Sequence, residues 1–426
     1  VAKAAVAILL CLCVGCFQSH PSSLDSILRE YLRLAVALGE RDPDALDFYY
    51  GPPDWVADIR GHLPTLPQIR SKALELTQSL EQLPLPEGQN GRRKFLAAQL
   101  RAIAARSDLL LGVSRSFDQE AELFFGIHLP PVALSDFAAV RTQLDRLLPG
   151  KDELSARYEA FDTKHMIPPD RVPLVMERAV QACRDQTLAH WKLPQGERVT
   201  LAFVHDKPWS AYSYYHGNYQ STIRINLDLG LTIDRALQLA CHEGYPGHHV
   251  FNSLTEEQLA RREKRMEFSV QPTFSPQSLL SEAAATAAPR VAFSWEERTR
   301  IEHDVLFPLA GLEAGNFERY LQVEELVDAL YPAELAVARE YLDGRLEFVR
   351  AAAAMSDRAL MAHSEAALRY LNEYRTYVVT YTEGRDRVEE WLKMASVQNS
   401  DREDRWTAYR KLIGTPDRLL DRESAH

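Results

Sequence analysis

Ten consecutive residues, Cys241-His242-Glu243-Gly244-Tyr245-Pro246-Gly247-His248-His249-Val250, constrain this chain more than any other stretch in it. Three histidines and a glutamate fall within eight positions, at the end of a segment (Asp234-Arg235-Ala236-Leu237-Gln238-Leu239-Ala240) that reads as a helix. Only 13 histidines occur among 426 residues, so the clustering favours a zinc ligand set over a polar helix end followed by a Pro-Gly turn.

In zinc peptidases, H-E-x-x-H places two imidazoles on one helix face with a glutamate beside them, so that ligands and general base share one rigid element. Here the next histidines after His242-Glu243 come at i+6 and i+7. On a regular helix, turning about 100° per residue, His248 would point away from His242, and His249 would share its face about 10 Å along the axis. Pro246-Gly247 can break that geometry, because proline lacks a backbone donor and glycine permits a bulge. The segment is then expected to loop out two residues and bring His248 back as the second ligand, with His249 as the alternate.

The string HEGYPGHH, with a later acidic residue on a small-residue helix, resembles a bacterial family catalogued as a domain of unknown function whose signature is HExxPGHH. That family in turn looks like a divergent branch of the glutamate-ligand zinc peptidases, the gluzincins. The resemblance covers most of the chain beyond about the first thirty residues and is most specific between about Tyr214 and Leu309.

A catalytic zinc needs three protein ligands and an open position. Ser278-Leu279-Leu280-Ser281-Glu282-Ala283-Ala284-Ala285-Thr286-Ala287-Ala288 fits the third, since alanines let two helix backbones approach while Glu282 projects to the metal. Glu282 lies 40 residues after His242, within the gluzincin range; where the family has Glu-Gly-x-Ala, this chain has Ala283 in place of the glycine. Glu243, next to a ligand, is the expected general base for metal-activated water. The oxyanion that forms on a scissile carbonyl needs a donor. Tyr374-Arg375-Thr376-Tyr377-Val378-Val379-Thr380-Tyr381-Thr382-Glu383-Gly384-Arg385 concentrates phenols and guanidiniums, and by resemblance it is the family's late tyrosine helix facing the metal. Tyr381 is the expected oxyanion donor and Arg385 the holder of a substrate carboxylate, although Tyr377 and Tyr381, one turn apart, equally suit a core.

Before the motif, Val199-Thr200-Leu201-Ala202-Phe203-Val204 and Ser221-Thr222-Ile223-Arg224-Ile225-Asn226 read as strands separated by an aromatic turn, Trp209 to His216. Thr222, Ile223, Arg224, Ile225 and Asn226 are the candidate exposed edge for an extended peptide, the alternative being a small structural hairpin. His205, His216, His303 and His363 are spare imidazoles, of which His216 is placed to line a cleft. No G-x-S-x-G elbow occurs. Cys241 should point into a core, about 100° from His242, and could bridge to Cys183 only if the fold brings the two together.

The rest of the chain is helical in pattern, from Leu24 to about Leu193 and again to about Ile413, punctuated by prolines. A net charge of -11 with no basic stripe argues against a nucleic-acid partner. Residues 1–16 carry one lysine and a short apolar run, too short to span a bilayer and apt for a signal peptide, and Val14-Gly15-Cys16 resembles a lipoprotein cleavage site with Cys16 as the lipid carrier. The expected organisation is a signal peptide at 1–16, an N-terminal helical region at 24–195 and a metal-site region at 196–424. Together these readings give a mainly α, gluzincin-like fold with a small sheet beside a zinc-binding helix. The expected activity is that of an exported, envelope-located zinc peptidase acting on peptide substrates, its membrane contact limited to an anchor at Cys16. A zinc hydrolase of another amide or ester, and a non-enzymatic surface lipoprotein that serves as a binding module, are the rival expectations.

Overall fold

The structure, a computed structural model, describes residues 23–86, 88–207, 209–396 and 402–416, so the expected signal peptide and Cys16 lie outside it. It is mainly helical, with one three-stranded and one two-stranded sheet. The first helix, Leu24–Arg41, starts where the periodicity places it: the Ser23 side chain accepts from the Ser26 N–H and closes a capping box. Its buried stripe, including Ile27, Tyr31 and Leu34, packs with Leu76 and Leu80 of Leu66–Gln82 and with Leu96 and Leu100 of Asn90–Leu110.

Strand β1 (Leu46–Tyr49) interrupts this helical region and pairs antiparallel with β5 (Val270–Pro272). Leu259, Phe268 and Val270 join the apolar cluster of the N-terminal helices, so residues from either side of the 195/196 boundary share one core. The three-stranded sheet holds β2 (Arg198–Val204), β3 (Ala211–Gly217) and β4 (Gln220–Asn226) in the order β2-β4-β3, with β2 parallel and β3 antiparallel to β4.

This order corrects two expectations. The stretch read as an aromatic turn is β3, joined to β4 by a tight hairpin in which Asn218 and Tyr219 both take positive φ. The span Thr222, Ile223, Arg224, Ile225, Asn226 is not an exposed edge, because β4 is hydrogen-bonded on both sides and has no free backbone groups to offer a peptide. Its alternation was real, with Ser221, Ile223 and Ile225 buried and Thr222 and Arg224 half-buried. Alternation reports which face is covered; it carries no information on whether the edges are paired.

The largest apolar cluster joins Ile223 and Ile225 of β4, Leu237 and Cys241 ahead of the motif, Ala283, Ala284, Ala287 and Ala288 of the helix Pro276–Ala292, and Tyr409 near the C-terminus. Cys241 is buried there as expected, yet it is also bridged to Cys183 on the helix Val172–His190, with the Cα atoms 5.5 Å apart. The residue before His242 is thereby tied covalently to a helix 58 positions earlier. Among the described residues no helix is long and apolar enough to cross a membrane.

Candidate metal centre

The helix Ile233–Leu239, capped by the Thr232 side chain, widens into one π-helical turn at Ala240–Gly244 and then ends. Tyr245 is extended, the Tyr245-Pro246 bond is cis, and a new helix begins at His248 and runs to Thr255. The chain therefore breaks the helix completely and does not bulge it by two residues. His248 then opens an independent helix whose direction is free to return it toward His242.

Gly247 makes the return possible. Its N–H donates to the Cys241 carbonyl at 3.0 Å, and a Cβ there would lie 1.9 Å from the His242 carbonyl oxygen and 2.4 Å from that of Cys241. No side chain fits in that space, so glycine is required by close backbone approach.

The two imidazoles meet with Nε2 atoms 3.2 Å apart, and Glu282 completes the group, Oε2 lying 3.3 Å from His242 Nε2 and Oε1 3.3 Å from His248 Nε2. Among the described residues these three form the group of His, Cys, Asp or Glu side chains that could hold a metal ion. Tetrahedral zinc with bonds of about 2.0–2.1 Å puts neighbouring ligand atoms about 3.3–3.4 Å apart, close to the separation of the two Nε2 atoms and to the distance from each to its nearer Glu282 oxygen. Glu282 Oε2 is buried and, beside the 3.3 Å approach of His242 Nε2, makes no well-formed hydrogen bond, a lack that a cation would satisfy.

The surroundings orient the group. His248 Nδ1 lies 3.1 Å from Ser281 Oγ, and the Tyr377 hydroxyl donates to Glu282 Oε1 at 2.9 Å while receiving from Ser278 Oγ, also at 2.9 Å. Burial would raise the Glu282 pKa, but the His248 and His242 imidazoles outweigh it and hold the carboxyl far below the usual range. Burial likewise opposes a charged His248, yet Glu282, helped by Glu243 and Asp47, pushes it up to about 9. Glu243, buried beside the pair, is shifted up by burial and only partly restored by His242 and His248.

All four residues line one cavity of about 1470 Å³. Tyr381 lines it too, its ring 6.4 Å from that of His242 and its hydroxyl 3.2 Å from that of Tyr370. Burial keeps the Tyr381 phenol protonated and thus able to donate. Arg385 reaches the same cavity, but Nη1 lies 3.4 Å from both Asp328 carboxylate oxygens and Nε 3.3 Å from Asp386, so a substrate carboxylate would compete with these partners. From the strand Thr222 to Asn226, Arg224 alone lines the cavity, while β3 contributes Ala211, Tyr212 and Ser213.

His249, the alternate ligand, points the other way. Its Nδ1 meets Ser221 Oγ and its Nε2 meets Glu197 Oε2, each at 2.9 Å, in a fully buried position. One residue further along the new helix is about 100° around it, which turns His249 away from the metal group. Glu197 also receives the Tyr245 hydroxyl at 2.6 Å and Arg184 Nη2 at 2.6 Å; the His249 bond first, then these two, outweigh burial and hold it at about 2. His216 lies outside the cavity and contacts Thr222, and His363 lines it while bonding the Leu229 carbonyl. Sequence reasoning missed Glu197, Ser281 and Asp47. Asp47, on β1, receives the Tyr212 hydroxyl at 2.6 Å and is pushed by burial to about 6. No local pattern marks these residues, whose partners are distant in sequence.

No protein-family model matches the chain, and neither does any curated protein. Among solved structures it is similar in fold to a chain described as "the putative lipoprotein from Colwellia psychrerythraea", with a TM-score of 0.54 and 16% identity over 95% of this chain and 76% of that one.

Proposed function

We propose that this protein is a zinc-dependent hydrolase and that its substrates are peptides. One observation carries the reading: His242, His248 and Glu282 converge at zinc-like separations, with the buried Glu243 carboxylate in the same cavity. The HExxPGHH resemblance and its gluzincin kinship point the same way.

Zinc held by His242, His248 and Glu282 would supply Lewis acidity, polarising a carbonyl and lowering the pKa of a water. Glu243 then accepts the proton of the attacking water and returns it to the leaving nitrogen, a task suited to a carboxylate shifted up by burial. Tyr381 donates to the oxygen on which negative charge develops. Ser281 and Tyr377 hold His248 and Glu282 in orientation.

A cavity of about 1470 Å³ is roomy enough for several residues of an extended chain. With β4 internal, the edge facing the cavity belongs to β3, at Ala211–Ser213, and a peptide docks there through its backbone. The fold match with a chain described as a lipoprotein supports a place in the cell envelope, in line with the lipid-carrier reading of Cys16.

The purified protein, assayed against a peptide library and a panel of esters, should cleave peptides. Glu243→Gln should lower turnover by at least about a hundredfold while zinc content stays at one per chain. Unchanged turnover in that variant would overturn the reading. Cleavage of esters without peptides would move the substrate class but keep the centre.

A further inference from the structure

The cavity that holds the metal group at one end is acidic at the other. Asp162 from the helix Leu154–Lys164, Asp234 from the first turn of the helix leading to His242, Glu302, and Glu324 from the helix Phe317–Asp328 all line it. Asp234 precedes His242 by eight residues on nearly continuous helix, which separates them by about 12 Å.

Few cations answer these four carboxyls. Arg298 bonds Asp234 and, through Nε at 2.8 Å, Glu302 Oε1. Arg290 is taken up by Asp328 and Glu389, Arg235 lies beside Asp234 with its Nη1 on Gln238, and His363 faces Asp162. Two oxygens are left over: Glu302 Oε2 and Glu324 Oε1 are buried without a hydrogen-bond partner, on side chains 0% and 8% exposed. Leaving such groups unmatched is costly, and both side chains line the cavity that also holds the metal group. Among the described residues these carboxylates do not converge as the metal triad does, which suits an organic cation better than a bare metal ion.

We propose that this acidic end is a subsite for a cationic group of the substrate, an amine or a guanidinium, lying three to four residues from the scissile bond. The spacing takes the helix-axis separation of Asp234 from His242, about 12 Å, as the distance from the metal group to the subsite, divided by about 3.3–3.6 Å per extended residue. A bound cation supplies what Glu302 Oε2 and Glu324 Oε1 lack. Burial together with the neighbouring carboxylates raises Glu324 and Glu302, the latter to about 8, and a bound cation would favour their ionised forms. The proposal rests on the hydrolase reading for the meaning of the distance, but its test involves no turnover.

Isothermal titration of the purified full chain with two pairs of probes reads it directly. N-acetyl-arginine amide against its neutral counterpart N-acetyl-citrulline amide tests the guanidinium, and glycine amide against N-acetylglycine amide tests the amine. At least one cation should bind about tenfold or more tighter than its neutral counterpart, and Glu324→Gln should weaken that cation about tenfold or more with zinc content unchanged. Glu302→Gln, read the same way, guards against a folding defect in the first variant, with circular dichroism as the check. Equal binding of charged and neutral probes, or folded variants that bind the cation like the parent, overturns the subsite. Loss of the hydrolase reading would show separately, in absent zinc or in turnover indifferent to Glu243→Gln.

Discussion

Glu243 and Glu282 are buried carboxyls in one cavity, and their neighbours fit them for different tasks. Two imidazoles lower the pKa of Glu282, whereas burial raises that of Glu243, and the proposed roles of ligand and proton acceptor draw on that difference. Tyr377 donates its hydroxyl hydrogen bond to Glu282. Tyr377→Phe should therefore weaken zinc binding about 10- to 100-fold in a competition titration with a chelating dye, with little change in the circular dichroism spectrum. Glu334 gives a test free of the metal group. Burial, only partly offset by a hydrogen bond from Tyr331, raises it from 4.5 to about 7, so the native state favours its protonated form. Stability from this group is complete below about pH 4.5 and is lost as pH rises through about 7. Glu334→Gln should raise the unfolding free energy by up to about 3 kcal/mol at pH 8 and leave it nearly unchanged at pH 4, as read from urea melts at the two pH values.

At the scale of elements, the break between the His242 helix and the His248 helix determines the site. Its cause was legible in Pro246 and Gly247, although the chain restarts a helix where a bulge was expected. Gly247→Ala would drive a methyl into the His242 carbonyl and should cost more than about 4 kcal/mol, with zinc content falling alongside stability in metal analysis of whatever folded protein remains. His242, Glu243, His248 and Glu282 could be read from sequence because each lies on a local pattern with a chemical meaning. The partner of His249 could not, since Glu197 sits 52 residues earlier and only the fold brings it there. The same holds for the Cys183–Cys241 bridge and for β4, whose central position depends on pairing with a parallel strand. Tyr212, read as part of a turn, proved to be a strand residue on the cavity wall because aromatic runs serve both purposes.

Across the whole molecule, the helical expectation was legible because periodicity is local, whereas the joining of the N-terminal helices to the metal-site region through β1 and β5 was not. Helices from distant parts of the chain converge on one cavity, so the metal group is built by the fold and a metal bound there stabilises the native state alone. Zinc content by elemental analysis of three purified proteins, the parent, His248→Ala and His249→Gln, tests this most directly. The geometry predicts about one zinc per chain in the parent, almost none in His248→Ala, and close to the parent value in His249→Gln despite a lower melting temperature. Zinc retained in His248→Ala, with loss confined to folded His249→Gln, would contradict it.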